Sequence, residues 1–220
     1  MDDSKARLAG LAAVTVAAAS VVLAPLNSLA RMRTESGRSD FYAEGAHWWA
    51  APAMDVFEPV LDFAAPDTVY ATYGKFYLLA LVAVIACALA VRSRRPPTLR
   101  WAERWGWRIT IPSYAVMAVG MLYYWLAPMV QIDALYLVVL LGMLGSVFGH
   151  VLLGIGLIRS GFRPRLTAWV LVTEPLTSIA LVSLSTQALG MWPMMLAWGV
   201  AGWALWRSDA EVLVREPVRA

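Results

Sequence analysis

Three ionisable side chains fall inside long apolar stretches of this 220-residue chain: Lys75, His150 and Glu174. A charge at mid-bilayer costs about 2.5–3.5 kcal/mol on insertion scales, so such residues usually face the inside of a helix bundle and find a partner there. Lys75 stands near the end of its stretch, where a long side chain can reach the surface. His150 and Glu174 are deeper. One lies eight residues before the end of an apolar stretch at Ile158, and the other eight residues after the start of the next at Leu166. At about 1.5 Å per residue, both sit roughly 12 Å from the same end of two helices joined by a short link. The spacing predicts that they meet. Pro175, next to Glu174, frees the Leu171 carbonyl one turn earlier. Thr173, Thr177 and Ser146 add polar atoms nearby and complete the candidate ligand-binding or proton-relay set.

A His–Glu pair at one depth supports three roles. It can lock two helices together. It can bind a polar ligand or relay a proton, because each partner stabilises the other's charged form near neutral pH. It can also contribute to a metal site, but the only other histidine, His47, is expected on the outer side, so no metal and no cofactor are expected. Cys87 is the single cysteine, which rules out an intrachain disulfide and multi-cysteine motifs.

The elements that must hold these residues are membrane helices. Hydrophobic residues make up 60% of the chain and charged residues 15%, against about 45–50% and 25% in soluble domains. Six apolar stretches have the length of a span: 8–29, 68–91, 109–130, 134–158, 166–184 and 190–206. They predict an all-α, polytopic membrane bundle forming one domain. Fourteen of the 18 Lys and Arg residues fall on one side of these spans. The positive-inside rule places that side, with both termini, in the cytoplasm. Arginine outnumbers lysine 16 to 2, and the expected location is the plasma membrane of a bacterium. Small residues at Ser28 and Ala30 also resemble a signal-peptidase site, so a cleaved leader over 1–30 is an alternative for the first span.

Outside the spans, the acidic loop 30–67 predicts a short surface helix over 53–63, limited by Pro59. His47, Trp48 and Trp49 precede it as candidate lid residues. On the inner side, Arg100, Arg104 and Arg108 recur every fourth residue beside Trp101 and Trp105. This predicts a surface helix over 100–108 touching anionic lipid headgroups. The basic residues are explained by topology, and no nucleic-acid partner is expected.

Glycines 142, 145, 149, 154 and 156 predict close packing of the fourth span, and Ala9, Ala13 and Ala17 form a small-residue stripe on the first. Such a stripe is an internal seam or a docking face for a partner protein. Six spans, both ends inside, the alanine stripe and the long first outer loop together resemble the architecture of substrate-binding subunits of vitamin-uptake transporters. That resemblance implies ligand binding without catalysis. No second intramembrane histidine exists for a rhomboid-like protease or for haem, and no lysine for retinal stands in the last span. The expected function is binding or transport of a small apolar or weakly polar ligand within the bundle. The alternatives are a non-catalytic accessory subunit of a larger membrane complex and a small lipid-modifying enzyme.

Overall fold

A computed structural model of the chain describes residues 1–126, 133–184 and 187–207. Among these the structure is helical, without strands: α1 (Asp3–Arg33), α2 (Arg38–Phe41), α3 (Glu44–Leu61), α4 (Pro66–Ser93), α5 (Trp101–Leu126), α6 (Asp133–Arg159), α7 (Arg165–Leu184), α8 (Gln187–Gly190) and α9 (Trp192–Trp206). The outer end expected for the third span (127–130) and the tail arginines Arg215 and Arg219 lie outside the described residues. Local signals set the helix starts. Asp2 caps α1 by accepting the Lys5 backbone N–H at 2.8 Å, and this bond holds its carboxyl below the usual value. Pro66 and Pro193 stand in first turns, where a missing N–H removes no helical bond.

Four helices, α1, α4, α6 over Leu137–Arg159, and α7, are long and apolar enough to cross a membrane. At 15 residues α9 is shorter than a usual span. The long helices close a ring: α1 packs on α4, α4 on α5, α5 on α6, α6 on α7, α7 on α9, and α9 back on α1, with α4 also touching α9. Large apolar side chains are exposed as well as buried, and several polar ones are turned inward. Leu79, Val82, Leu140, Leu144, Phe148, Leu176 and Ile179 point outward, whereas Ser20, Thr110, Ser146, His150, Thr167 and Glu174 are buried. An apolar exterior around a polar centre is the arrangement that a lipid solvent rewards.

Small residues set the seams. A Cβ on Gly156 would lie 2.5 Å from the Glu103 backbone, and one on Gly106 would lie 2.5 Å from the Leu153 backbone, so α5 and α6 approach at glycines on both sides. Gly154 plays the same part against α7, where an added Cβ would meet the Ala168 carbonyl at 2.7 Å. The alanine stripe of α1 is an internal seam. Ala9, Ala13 and Ala17 are buried, and Gly10, Ala13 and Ala17 lie against Gly202 and Gly199 of α9. Ser28, Leu29 and Ala30 are buried within α1 rather than standing in an open turn.

Three expected boundaries need correction. No separate surface helix occupies 100–108: residues 101–108 form the first two turns of α5, which runs unbroken into the apolar stretch. Glu103, Gly106 and Trp107 face inward there, so the segment is anchored by burial as well as by its arginines. The helix expected over 53–63 is α3, which begins at Glu44, absorbs His47–Trp49 and ends at Leu61. Both Pro52 and Pro59 lie inside it, because Ala46, Ala50 and Leu61 supply a buried stripe that outweighs the lost backbone bonds. That stripe packs against the C-terminal end of α1 and the N-terminal end of α4. The last expected span, 190–206, is broken at Met191, between the short α8 and α9.

Candidate functional site

The structure brings His150 and Glu174 together. His150 lies nine residues from the end of α6 and Glu174 nine residues into α7. His150 Nδ1 approaches Glu174 Oε2 at 3.2 Å, with the two side chains 0% and 7% exposed. The approach is close enough for an ion pair, yet the N–H is not aimed at the oxygen, and neither atom has a hydrogen-bond partner among the described residues.

The pair belongs to a longer network that joins four helices. The Trp198 Nε1–H of α9 donates to the Tyr114 hydroxyl of α5 at 2.7 Å. Tyr114 is in turn hydrogen-bonded to His150 Nε2. At the other end, Ser178 Oγ lies 3.2 Å from Glu174 Oε1 and 2.7 Å from the Gly190 carbonyl. Tyr114, His150 and Trp198 are completely buried. Leu153 and Leu171, each three residues from the pair on α6 and α7, are completely buried too. Two clefts on the bundle, at the α5–α6 seam and at the α4–α5 link, are lined by other residues.

Donor and acceptor counting fixes where the hydrogens fit. An indole N–H can only donate, so the Tyr114 oxygen accepts from Trp198 and its own hydrogen goes to His150 Nε2. A neutral His150 then carries its hydrogen on Nδ1, facing Glu174 Oε2. Ser178 has one hydrogen for two acceptors, and the shorter contact assigns it to the Gly190 carbonyl. The remaining contact is satisfied when Glu174 carries a proton on Oε1 and donates to Ser178. With both groups neutral, the hydrogens run in one sense, from Trp198 through Tyr114 to His150 and from Glu174 through Ser178 to Gly190, with the open Nδ1–Oε2 contact between the two halves. With His150 and Glu174 both charged, the Tyr114 hydroxyl would receive two donors and have no acceptor for its own hydrogen among the contacts described.

The other expected site residues do not join this network. Thr173 and Thr177 are exposed and bond to backbone carbonyls of their own helix, Trp169 and Val170 for the first, Thr173 and Glu174 for the second. Ser146, one turn from His150, donates to the Met143 carbonyl at 2.7 Å. Lys75 is exposed. Of the lid residues, only Trp49 closes on the bundle, its Nε1–H bonding the Leu184 carbonyl at the end of α7 at 2.8 Å. Trp48 is 69% exposed, and His47 packs edge-on against Phe41 at 4.9 Å, far in the chain from His150. Arg100, Arg104 and Arg108 all remain exposed at the start of α5.

Two functional-looking groups carried signals that went unread. Tyr114 and Trp198 are mid-helix aromatics with polar tips, and such tips need partners when buried. Arg95 and Glu103 form a second buried cluster. Arg95 Nε meets Glu103 Oε1 at 2.7 Å and Nη2 meets Oε2 at 3.1 Å, with Ser160 also on Nη2 at 2.6 Å. The side chains are 5% and 1% exposed. The signal was Glu103 itself, one acid among six arginines.

With this geometry established, comparison with protein-family models, with curated proteins and with solved structures returns no match. No group of three or more potential metal-binding side chains occurs among the described residues.

Proposed function

We propose that this chain is an integral membrane protein of six crossing helices, with both termini on the cytoplasmic side of a bacterial plasma membrane. It binds or passes a small, weakly polar ligand within its bundle, and the facing His150–Glu174 pair takes up and returns one proton as it does so, the Trp198 indole and the Gly190 carbonyl being ends of the hydrogen-bond chain that neither supply nor accept one. The outward apolar faces of α5 and α9, at Val119, Leu122, Leu196 and Trp203, support counting them with the four longer helices. The 14-to-4 division of basic residues supports the orientation.

One observation carries the reading. Two facing polar atoms, His150 Nδ1 and Glu174 Oε2, are buried in the centre of the bundle with unused hydrogen-bonding capacity. Buried polar atoms are nearly always satisfied, so an open pair marks a place where a proton or a small polar group completes the contact. A structural lock would close that bond. The accessory-subunit reading draws no support from the alanine stripe, which is occupied by α9.

The test is proteoliposomes with an entrapped pH-sensitive dye and an imposed pH gradient. The wild-type protein is expected to collapse the gradient faster than protein-free vesicles, and Glu174→Gln and His150→Phe to remove that excess while eluting as folded protein. Equal rates for wild type and both variants would overturn the relay.

A further inference from the structure

Six arginines surround the α4–α5 link, and the structure separates them by partner. Arg94 pairs with Asp3 at 2.8 Å, and Arg95 with Glu103. Arg100 precedes α5 and points outward. Arg92, Arg104 and Arg108 instead line one groove of about 580 Å³. None of the three has a carboxylate within ion-pair distance among the described residues. Arg104 Nη2 donates only to the Leu99 carbonyl at 3.1 Å, and the Arg108 guanidinium lies 5.4 Å from the Trp105 ring centre. Three uncompensated positive charges therefore share a space whose remaining wall includes Leu99, Trp107 and Ile111.

The groove does not end at its charged mouth. It reaches Pro112, which also borders a second cleft of about 290 Å³ between α5 and α6, lined by Val116, Val138 and Leu141. Pro112 is four residues beyond Arg108, and Val116 four beyond that, so the apolar track climbs roughly 12 Å toward the bundle's middle. A basic compartment at the expected headgroup level and an apolar one at acyl-chain level adjoin at Pro112, which lines both.

The geometry points to a binding site for one anionic phospholipid, its phosphate among Arg92, Arg104 and Arg108 and one acyl chain along Ile111, Pro112 and Val116. A soluble phosphate would use only the charged compartment. A zwitterionic lipid would bring a cation into a space that already holds three. The inference depends on the helices crossing a membrane, and not on the proton relay.

Native mass spectrometry of the detergent-solubilised full chain tests it, with long-chain phosphatidylglycerol, dihexanoyl phosphatidylglycerol, phosphatidylcholine and glycerol 3-phosphate as probes. One long-chain phosphatidylglycerol should be retained in preference to the other three. Each basic residue near an anionic surface is worth about fivefold in affinity, so Arg104→Gln and Arg108→Gln should each weaken retention by about that factor. Arg159→Gln, at the exposed end of α6, makes the same change of charge outside the groove and should leave retention unchanged. Equal weakening by Arg159→Gln would show a diffuse basic surface and overturn the site. So would equal retention of phosphatidylcholine. Equal binding of dihexanoyl phosphatidylglycerol, or displacement by glycerol 3-phosphate, would refute the apolar compartment and with it the lipid assignment.

Discussion

Replacing Glu174 with glutamine separates the neutral hydrogen-bond chain from a charged pair. A glutamine side chain has the shape of a protonated glutamate. Its oxygen can face His150 Nδ1–H as Oε2 does, and its amide can donate to Ser178 Oγ, which lies 3.2 Å from Oε1. One amide hydrogen is left over in a buried setting, which sets the cost at about 1 kcal/mol. A buried ion pair behaves differently. Removing one partner strands the other charge in an apolar site and costs about 3–5 kcal/mol. The assay is reversible unfolding of the purified protein in mixed micelles by titration with sodium dodecyl sulfate, followed by tryptophan fluorescence and circular dichroism. Glu174→Gln should unfold within about 1 kcal/mol of wild type. It should also lose proton movement, because an amide cannot release its hydrogen. A loss of 3 kcal/mol or more would refute the neutral assignment and the direction given to every bond in the chain.

Other perturbations have equally definite outcomes. Tyr114→Phe keeps the ring but strands the Trp198 indole N–H and His150 Nε2, and should destabilise by about 1–3 kcal/mol for each stranded group in the same titration. Arg95→Met should cost about 3–5 kcal/mol by isolating the buried Glu103, whereas Arg95→Met with Glu103→Leu should recover most of it, as read by a double-mutant cycle. Gly156→Ala places a methyl 2.5 Å from the Glu103 backbone and should cost about 1–3 kcal/mol by forcing α5 and α6 apart. The Asp2 cap, whose carboxyl is held below its ordinary value of 3.8, stabilises the start of α1 above that pH and should be lost as pH falls through the lowered value. Amide exchange at Lys5 should rise there, and Asp2→Ala should abolish the dependence.

The helices and the central pair could be read from sequence for the same reason. Hydrophobic length marks a span, and a fixed rise per residue turns sequence position into depth. The seven-residue link 159–165 then makes neighbours of two helices, so His150 and Glu174 could be placed at one level from the sequence. Depth says nothing about rotation between helices distant in the chain. Tyr114 and Trp198 therefore stayed invisible as partners, although 84 residues apart they share a hydrogen bond. Thr173 and Thr177 show the converse: near Glu174 in sequence, they lie on the other side of α7. The helix boundaries failed where charge or proline was read locally. The arginines of 100–108 suggested a surface segment, but Glu103, Gly106 and Trp107 give it a buried face. Pro59 suggested a short helix in the loop 30–67, but contacts with α1 and α4 hold the longer one together.

Closure of the ring has a consequence for biosynthesis. Its final wall is α9, which meets α1 where Gly10 faces Gly202 and completes the polar chain by bringing Trp198 to Tyr114. Until α9 leaves the ribosome, α1 has an uncovered seam along Gly10, Ala13 and Ala17, and the Tyr114 hydroxyl lacks its indole donor. A nascent chain stalled before Trp192 would carry the His150–Glu174 pair without the helix that packs on both α1 and α7. Translation of the 15-residue α9 is thus the event that closes the ring and supplies the Tyr114 donor at once.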